Sequence, residues 1–120
     1  MLTLPPSTRV YVATAPADMR RSFDGLMGLV RDFLGGDPLS GHLFVFRNRA
    51  GDRLKVLWWD RDGLAIFYKR LEEGTFAFPA AAGDSPQVEM TAADLQLVLQ
   101  GIDPTRVKRA KRYARPTPPA

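Results

Sequence analysis

Residues 41–71 read GHLFVFRNRAGDRLKVLWWDRDGLAIFYKRL. Apolar and polar side chains alternate along much of this stretch with the two-residue period of β-strands, and Asn, Asp and Gly recur between the apolar runs. Because those residues favour tight turns, the stretch predicts an antiparallel meander. Its three strands are expected at His42–Arg47, Arg53–Trp59 and Leu64–Leu71, joined by turns at Asn48–Asp52 and Asp60–Gly63.

The residues that precede the meander predict a strand followed by a helix. Arg9–Thr14 is rich in β-branched and aromatic residues, and Pro16 separates it from the next element. We expect a helix that is capped by Asp18 or Ser22 and ends at Gly35–Gly36. Its apolar residues recur at three- and four-residue steps on one face, and they are Phe23, Leu26, Met27, Val30 and Leu34.

The residues that follow the meander predict two short strands and a second helix. Thr75–Phe78 is expected to be a strand that Pro79 stops, and Val88 with Met90 indicates another. The remaining elements are the helix Ala92–Gln100, its N-terminal cap Thr91 and its left-handed C-terminal cap Gly101.

Together these elements predict a single α+β domain over residues 1–103. We expect a twisted antiparallel sheet of four to six strands with two helices, and a flexible, basic, proline-containing tail over residues 104–120. Both sheet faces carry apolar side chains, so the first helix is expected to cover one face and the second helix, a partner subunit or a ligand the other. Gly25 and Gly28 in the first helix are expected to permit close approach to the sheet.

Composition restricts the class of protein. At 120 residues, 45% of them hydrophobic, the chain has the size and composition of one globular domain. It contains no cysteine, which excludes disulfides, thiolate nucleophiles and cysteine-ligated zinc. No signal peptide or apolar run of membrane-spanning length occurs, so we expect a cytoplasmic protein without a membrane partner.

Positive charge is concentrated at the C-terminal end. The chain holds 17 basic and 13 acidic residues, and the segment from Asp103 onward has one acid. Clustered charge of one sign attracts an opposite polyelectrolyte, so this segment predicts salt-sensitive nucleic-acid binding, with a merely solubilising tail as the alternative. The basic residues of the segment are Arg106, Lys108, Arg109, Lys111, Arg112 and Arg115.

A second candidate surface follows the strands. Trp58 and Trp59 are consecutive, so one indole is expected on each face of the sheet, where at least one packs in the core and the other is free to stack on a base or anchor a partner. Cations beside an aromatic ring suit nucleic acid, whereas the alternatives are a solvated strand face and surface ion pairs at the helix start. The cations concerned are Arg47, Arg49, Arg53 and Lys55 on the strands and Arg20 and Arg21 before the helix.

The usual signatures of an enzyme are missing from the sequence. His42 is the only histidine, and no nucleophile-elbow, phosphate-loop or metalloprotease motif accompanies it. Asp60 and Asp62 offer two carboxylates to a divalent cation, but Asp and Gly in a tight turn are explained by backbone preference alone. We therefore predict no catalytic residues, no metal and no cofactor, and keep a metal-dependent nuclease as a minor alternative.

The order of five segments closely resembles the accessory transposition protein of insertion sequence sixty-six family elements, the second open reading frame product called TnpB. The resemblance implies a bacterial mobile-element protein that supports a separate transposase, and it supplies no catalytic residues. Arg21 stands where relatives commonly have lysine, which preserves the charge. The matching segments are Asp18–Leu26, Gly41–Arg49, Gly51–Asp60 with Asp62–Gly63, Lys69–Glu72 and Gly101–Asp103.

Residues and resemblance together predict a non-catalytic accessory factor for transposition of a bacterial insertion sequence. Its expected partners are DNA, the transposase of the same element, or both, and a homo-oligomer is possible through an exposed sheet face or edge. A protein–protein adaptor or oligomeric scaffold without DNA binding is the alternative.

Overall fold

Five strands and two helices build the part of the chain that the computed structural model describes, residues 7–80 and 83–106. A 3₁₀ turn at Pro104–Arg106 follows the last helix. The elements are β1 (Arg9–Ala13), α1 (Phe23–Asp32), β2 (Leu43–Arg47), β3 (Arg53–Asp60), β4 (Gly63–Arg70), β5 (Gln87–Thr91) and α2 (Ala92–Leu99).

The meander is confirmed. β2 pairs antiparallel with β3, and β3 pairs antiparallel with β4 through eight residue pairs, from Arg53 opposite Arg70 to Asp60 opposite Gly63. The β3–β4 turn is tight, and Arg61 adopts the left-handed conformation there at φ 58°. β5 is also confirmed, and it lies antiparallel to β1. The α+β class predicted from the sequence is therefore correct.

One feature of the predicted sheet is wrong, because the sheet is mixed rather than purely antiparallel. The strand order is β4-β3-β2-β1-β5, and β1 runs parallel to β2. The reason is α1, which lies between the two strands in the chain. A helical crossover returns the chain to the end of the sheet at which the first strand began, so the next strand runs in the same direction.

The strand predicted at Thr75–Phe78 is also absent from the described structure, where these residues have no regular conformation. The backbone N–H of Phe76 donates to the Gly51 carbonyl at 2.9 Å, and the Phe76 ring is buried. The segment therefore contributes a core side chain instead of a strand, and Pro79, which lacks an N–H, follows closely.

The two helices cover opposite faces of the sheet, and each face has its own core. Leu26 and Val30 of α1 pack on one face, and Leu95 and Val98 of α2 pack on the other. Phe23, expected on the buried stripe of α1, is instead 43% exposed. The sheet residues of the α1 side include Phe44, Phe46 and Leu57, and those of the α2 side include Leu43, Val45, Leu54, Val56 and Trp58.

The caps of the two helices differ. Thr91 Oγ1 accepts a hydrogen bond from the Asp94 N–H at 3.1 Å, and Gly101 adopts φ 81°, both as the sequence predicts. Ser22 is the N-cap of α1 but forms no side-chain cap bond. The expected role of Gly25 and Gly28 is wrong. A β-carbon at Gly28 would meet nothing within 4 Å, and one at Gly25 would meet the Arg21 side chain, not the sheet.

Candidate nucleic-acid interface

Cationic side chains collect at one end of the sheet. β1 and β2 end there, β3 begins there with Arg53, and β4 ends there with Arg70. The residues before α1 reach the same end, because Lys55 Nζ donates to the Arg21 carbonyl at 2.7 Å. The opposite end holds the β3–β4 turn with Asp60 and Asp62. Cations therefore outnumber acids at one end of the sheet, where Asp52, Glu72 and Glu73 also lie, whereas two aspartates flank Arg61 at the other end.

An exposed tyrosine lies among the cations on the α1 face of the basic end. Tyr68 is 47% exposed. The ammonium of Lys55 lies 4.8 Å from its ring centroid, and Arg53 Nη1 approaches its hydroxyl at 3.5 Å. We call this group the Tyr68 cluster, and its members are Arg21, Arg53, Lys55, Tyr68 and Arg70.

Two like charges face each other within the cluster. Arg53 and Arg70 are directly paired across β3 and β4, and opposed like charges disfavour folding by up to about 1 kcal/mol. Arg70 also contacts Glu72, at 3.1 Å, through an ion pair that is exposed on both sides. Among the described residues Arg53 forms no ion pair. An anion placed between the two arginines would relieve their repulsion.

Lys55 differs from the other cations, because it is buried, with 8% of its surface exposed. Its ammonium is held by the Arg21 carbonyl and the Tyr68 ring. A buried cation needs such partners, since removing a charge from water is costly. The predicted role of Lys55 as a surface contact therefore becomes that of a positioning residue, which joins the α1 start to the sheet.

Arg20 is exposed and engaged by a neighbouring acid. It makes a 2.7 Å ion pair with Asp18, and hydrogen bonds from the Arg20 side chain and backbone lower the pKa of that carboxyl to about 2. Arg20 is thus partly neutralised, whereas Arg21 beside it is exposed and, among the described residues, forms no ion pair. Of the predicted pair, Arg21 is the one that contacts the cluster, and it does so through its backbone carbonyl.

Arg47 and Arg49 lie apart from the Tyr68 cluster. Arg47 projects from the α2 face at the end of β2, where its Nη2 donates to the Thr14 carbonyl at 3.1 Å. Arg49 is exposed in the β2–β3 turn. Both line a cleft of about 340 Å³ between that turn and residues 75–80. The basic end therefore presents cations to both sides of the sheet.

The tryptophans are not beside the arginines. Trp58 is buried in the core on the α2 side, and only Trp59 keeps partly exposed surface. Trp59 follows Arg53 by six positions, about 20 Å along the strand at a rise of roughly 3.3 Å per residue. Tyr68, and not a tryptophan, is the aromatic side chain beside the strand cations Arg53 and Lys55. Its position becomes evident only from the register, in which Lys55 is opposite Tyr68.

Of the six cations predicted for the basic segment, one, Arg106, lies among the described residues. Arg106 is exposed, and its Nε lies 3.5 Å from Asp103 Oδ2. Hydrogen bonds from Thr105 lower the pKa of Asp103, and the Arg106 charge adds to the effect. The other five cations, Lys108, Arg109, Lys111, Arg112 and Arg115, lie outside the described residues.

Of the residues considered for catalysis, His42 has structural contacts, and Asp60 and Asp62 are exposed at a turn. His42 Nδ1 accepts a hydrogen bond from the Arg9 N–H at 3.0 Å, and its ring contacts Tyr11 edge-on. Asp60 and Asp62 are exposed in the β3–β4 turn. Within residues 7–80 and 83–106, no three acidic or histidine residues gather as metal ligands would. No helix in that same part of the chain has the length and hydropathy needed to cross a membrane.

Fold and surface define a small α+β domain, with a mixed sheet between two helices and a cationic sheet end. The chain belongs to the IS66 Orf2-like protein family, whose model, TnpB_IS66, matches residues 8–109. Membership implies an accessory role in the transposition of an insertion sequence.

Two proteins of Sinorhizobium fredii (strain NBRC 101917 / NGR234) resemble the chain over most of their length. The uncharacterized protein y4jC is 42% identical over 109 residues, which are 91% of each chain. The uncharacterized protein y4hO is 43% identical over 103 residues, which are 86% of this chain and 88% of the relative. No solved structure matches significantly.

Proposed function

We propose that this protein is a non-catalytic accessory factor that binds DNA during transposition through the Tyr68 cluster. The observation that carries the proposal is the exposed Tyr68 ring within a group of cations at one end of the sheet. Arginine and lysine side chains neutralise DNA phosphates, and the release of condensed counterions that follows favours binding. An aromatic ring stacks on an unpaired base. The cations that follow Arg106 in the sequence would add electrostatic attraction to DNA that does not depend on the base sequence.

The opposed arginines support this proposal. Arg53 and Arg70 are adjacent on a sheet face, where their repulsion, partly offset by the Arg70–Glu72 ion pair, disfavours the folded state. A DNA phosphate bridging them would replace repulsion by charge-assisted hydrogen bonds, for which the planar guanidinium is well suited. Binding would then be stronger than the number of exposed cations alone suggests.

Paired neutralising variants test the proposal. In fluorescence anisotropy titrations with labelled duplex over a salt series, we expect Arg53→Gln/Arg70→Gln to weaken binding. The slope of log affinity against log salt should become shallower by about 0.9, because the one phosphate contact that the two arginines share is lost. Arg31→Gln/Arg61→Gln removes the same charge from exposed positions outside the cluster and should change the slope much less.

Equal slopes for the two double variants would show that the cluster makes no phosphate contact. Failure of the intact protein to associate with DNA even at low salt would reject nucleic-acid binding altogether. The second result would favour the second candidate function.

The second candidate is a protein–protein adaptor, and apolar exposure near α1 favours it. Phe33 is 68% exposed and borders an apolar groove of about 210 Å³ that Ala15, Leu29 and Pro86 also line. Exposed apolar surface of this kind is typical of interaction sites. Co-purification with the transposase and light scattering would test this function, and Phe33→Ser should reduce either association. A monomer that never co-purifies would reject it.

A further inference from the structure

The cleft that contains Arg47 and Arg49 has the chemistry of an anion site. Of the described residues that line it, two are arginines and none is acidic. Arg47 Nη2 is fixed by the Thr14 carbonyl, and a guanidinium carries five N–H donors, so this bond leaves others for a ligand. The exposed Arg49 stands at the rim. Two guanidinium groups suit a phosphate better than a neutral ligand.

The opposite wall of the cleft is aromatic. Phe76 and Phe78 both line it, with ring centroids 6.3 Å apart, and Phe78 keeps partly exposed surface. The volume of about 340 Å³ falls at the lower end of the roughly 300–1,000 Å³ typical of small-molecule sites. The cleft therefore offers cations and an apolar ring surface within the dimensions of one small ligand.

Topology supports a ligand at this place. The cleft lies where the parallel strands β1 and β2 both end, at Ala13 and Arg47. In open α/β sheets ligands bind outside the carboxyl ends of the parallel strands, and β1 and β2 are the one parallel pair among the described strands. The site is also separate from the Tyr68 cluster, since Arg47 and Lys55 lie on opposite faces of the sheet.

We infer that this cleft binds a single unpaired nucleotide, with its phosphate on Arg47 and Arg49 and its base against Phe78. As a statement about DNA, the inference rests on the proposed function, because the nucleotide would belong to the strand that the Tyr68 cluster holds. An anionic peptide is a different ligand, and the test below distinguishes it. The aromatic wall favours the nucleotide, because a base stacks or packs on a ring.

The first measurement is independent of DNA binding. In ¹⁵N-resolved NMR titrations of the full chain, deoxyadenosine monophosphate should shift the amides of residues 47–51 and 75–80. It should bind about tenfold more tightly than either deoxyadenosine or inorganic phosphate, since each lacks half of the interactions. Arg49→Gln, at an exposed position, should lower that affinity by about tenfold, and Arg31→Gln should leave it unchanged.

The second measurement connects the cleft to DNA. A duplex with one unpaired terminal nucleotide should bind more tightly than its blunt counterpart, and Arg49→Gln should remove that difference, whereas Arg53→Gln/Arg70→Gln should weaken both duplexes equally. Equal affinity of the two duplexes for the intact protein would overturn the inference and leave the proposed function intact. Nucleotide binding no tighter than phosphate, or weaker than a glutamate-containing tripeptide, would also overturn it.

Discussion

Lys55 shows how a single residue connects two parts of the domain. The sequence predicts a surface cation at this position, because the alternation of faces along a strand does not reveal how deeply each face is buried. In the structure its ammonium is buried against the Arg21 carbonyl and the Tyr68 ring. The same lysine therefore holds the start of α1 on the sheet and orients the aromatic ring of the candidate interface.

Replacing Lys55 by methionine tests this role. Lys55→Met keeps much of the side-chain volume but leaves the Arg21 carbonyl without its donor, so we expect a loss of about 1–3 kcal/mol in the free energy of unfolding. Urea denaturation measures the change, with the exposed Arg31→Gln as a control expected within about 0.5 kcal/mol of the original protein. A Lys55→Met protein as stable as that control would show that the bond contributes nothing net.

The Asp18–Arg20 pair predicts a specific pH dependence. Bonds from Arg20 lower the Asp18 pKa from 3.8 to about 2, so the ionised carboxylate stabilises the folded state above the higher value. That contribution is lost as the pH falls through the lower value. The melting temperature of Asp18→Asn should therefore lie below that of the original protein at pH 6, and the two should converge towards pH 2. A constant difference across this range would contradict the assignment.

At the scale of the elements, the two helix N-termini provide a matched comparison. Thr91 Oγ1 accepts the Asp94 N–H, whereas the Ser22 hydroxyl forms no cap bond. We expect Thr91→Ala to lower the free energy of unfolding by about 1 kcal/mol and Ser22→Ala to change it by less than about 0.5 kcal/mol. Chemical denaturation of both variants would measure this. Equal losses would mean that the Ser22 side chain caps α1 in solution.

The glycines near α1 make a second prediction at this scale. Gly28 lies inside α1 with open space where a β-carbon would be, so Gly28→Ala should stabilise the protein by about 0.5–1 kcal/mol. Gly36→Ala should destabilise it, because the added carbon would lie 3.1 Å from the Phe44 ring and 3.3 Å from Val30. Thermal unfolding would show opposite shifts. A destabilised Gly28→Ala would indicate a contact at that position that the structure does not contain.

Local patterns in the sequence were sufficient for most elements. Alternation and turn residues identified the three meander strands, and helical spacing with caps identified both helices, because those signals come from neighbours in the chain. Thr75–Phe78 has the composition of a strand, but its Phe76 ring is buried in the core and its Phe78 ring packs partly against it without any strand pairing. Whether such a run joins a sheet depends on an available partner edge, which composition does not specify.

At the scale of the whole molecule, the features that sequence analysis missed are those that depend on pairing. The parallel alignment of β1 with β2 and the placement of Tyr68 opposite Lys55 both follow from register. Register brings Arg53 and Arg70 together and keeps Trp59 at the far end of β3. That the strand cations bind nucleic acid stays a prediction, and their aromatic neighbour and their division between two faces are evident only from the structure.

DNA is expected to contact the basic end of the sheet. Titrating the ¹⁵N-labelled full chain with duplex DNA and mapping the amide shifts tests it most directly. We predict changes at residues 47–55 and 68–72, with residues 31–37 and 60–63 unaffected. Changes confined to residues 107–120, or centred on the β3–β4 turn, would contradict the account.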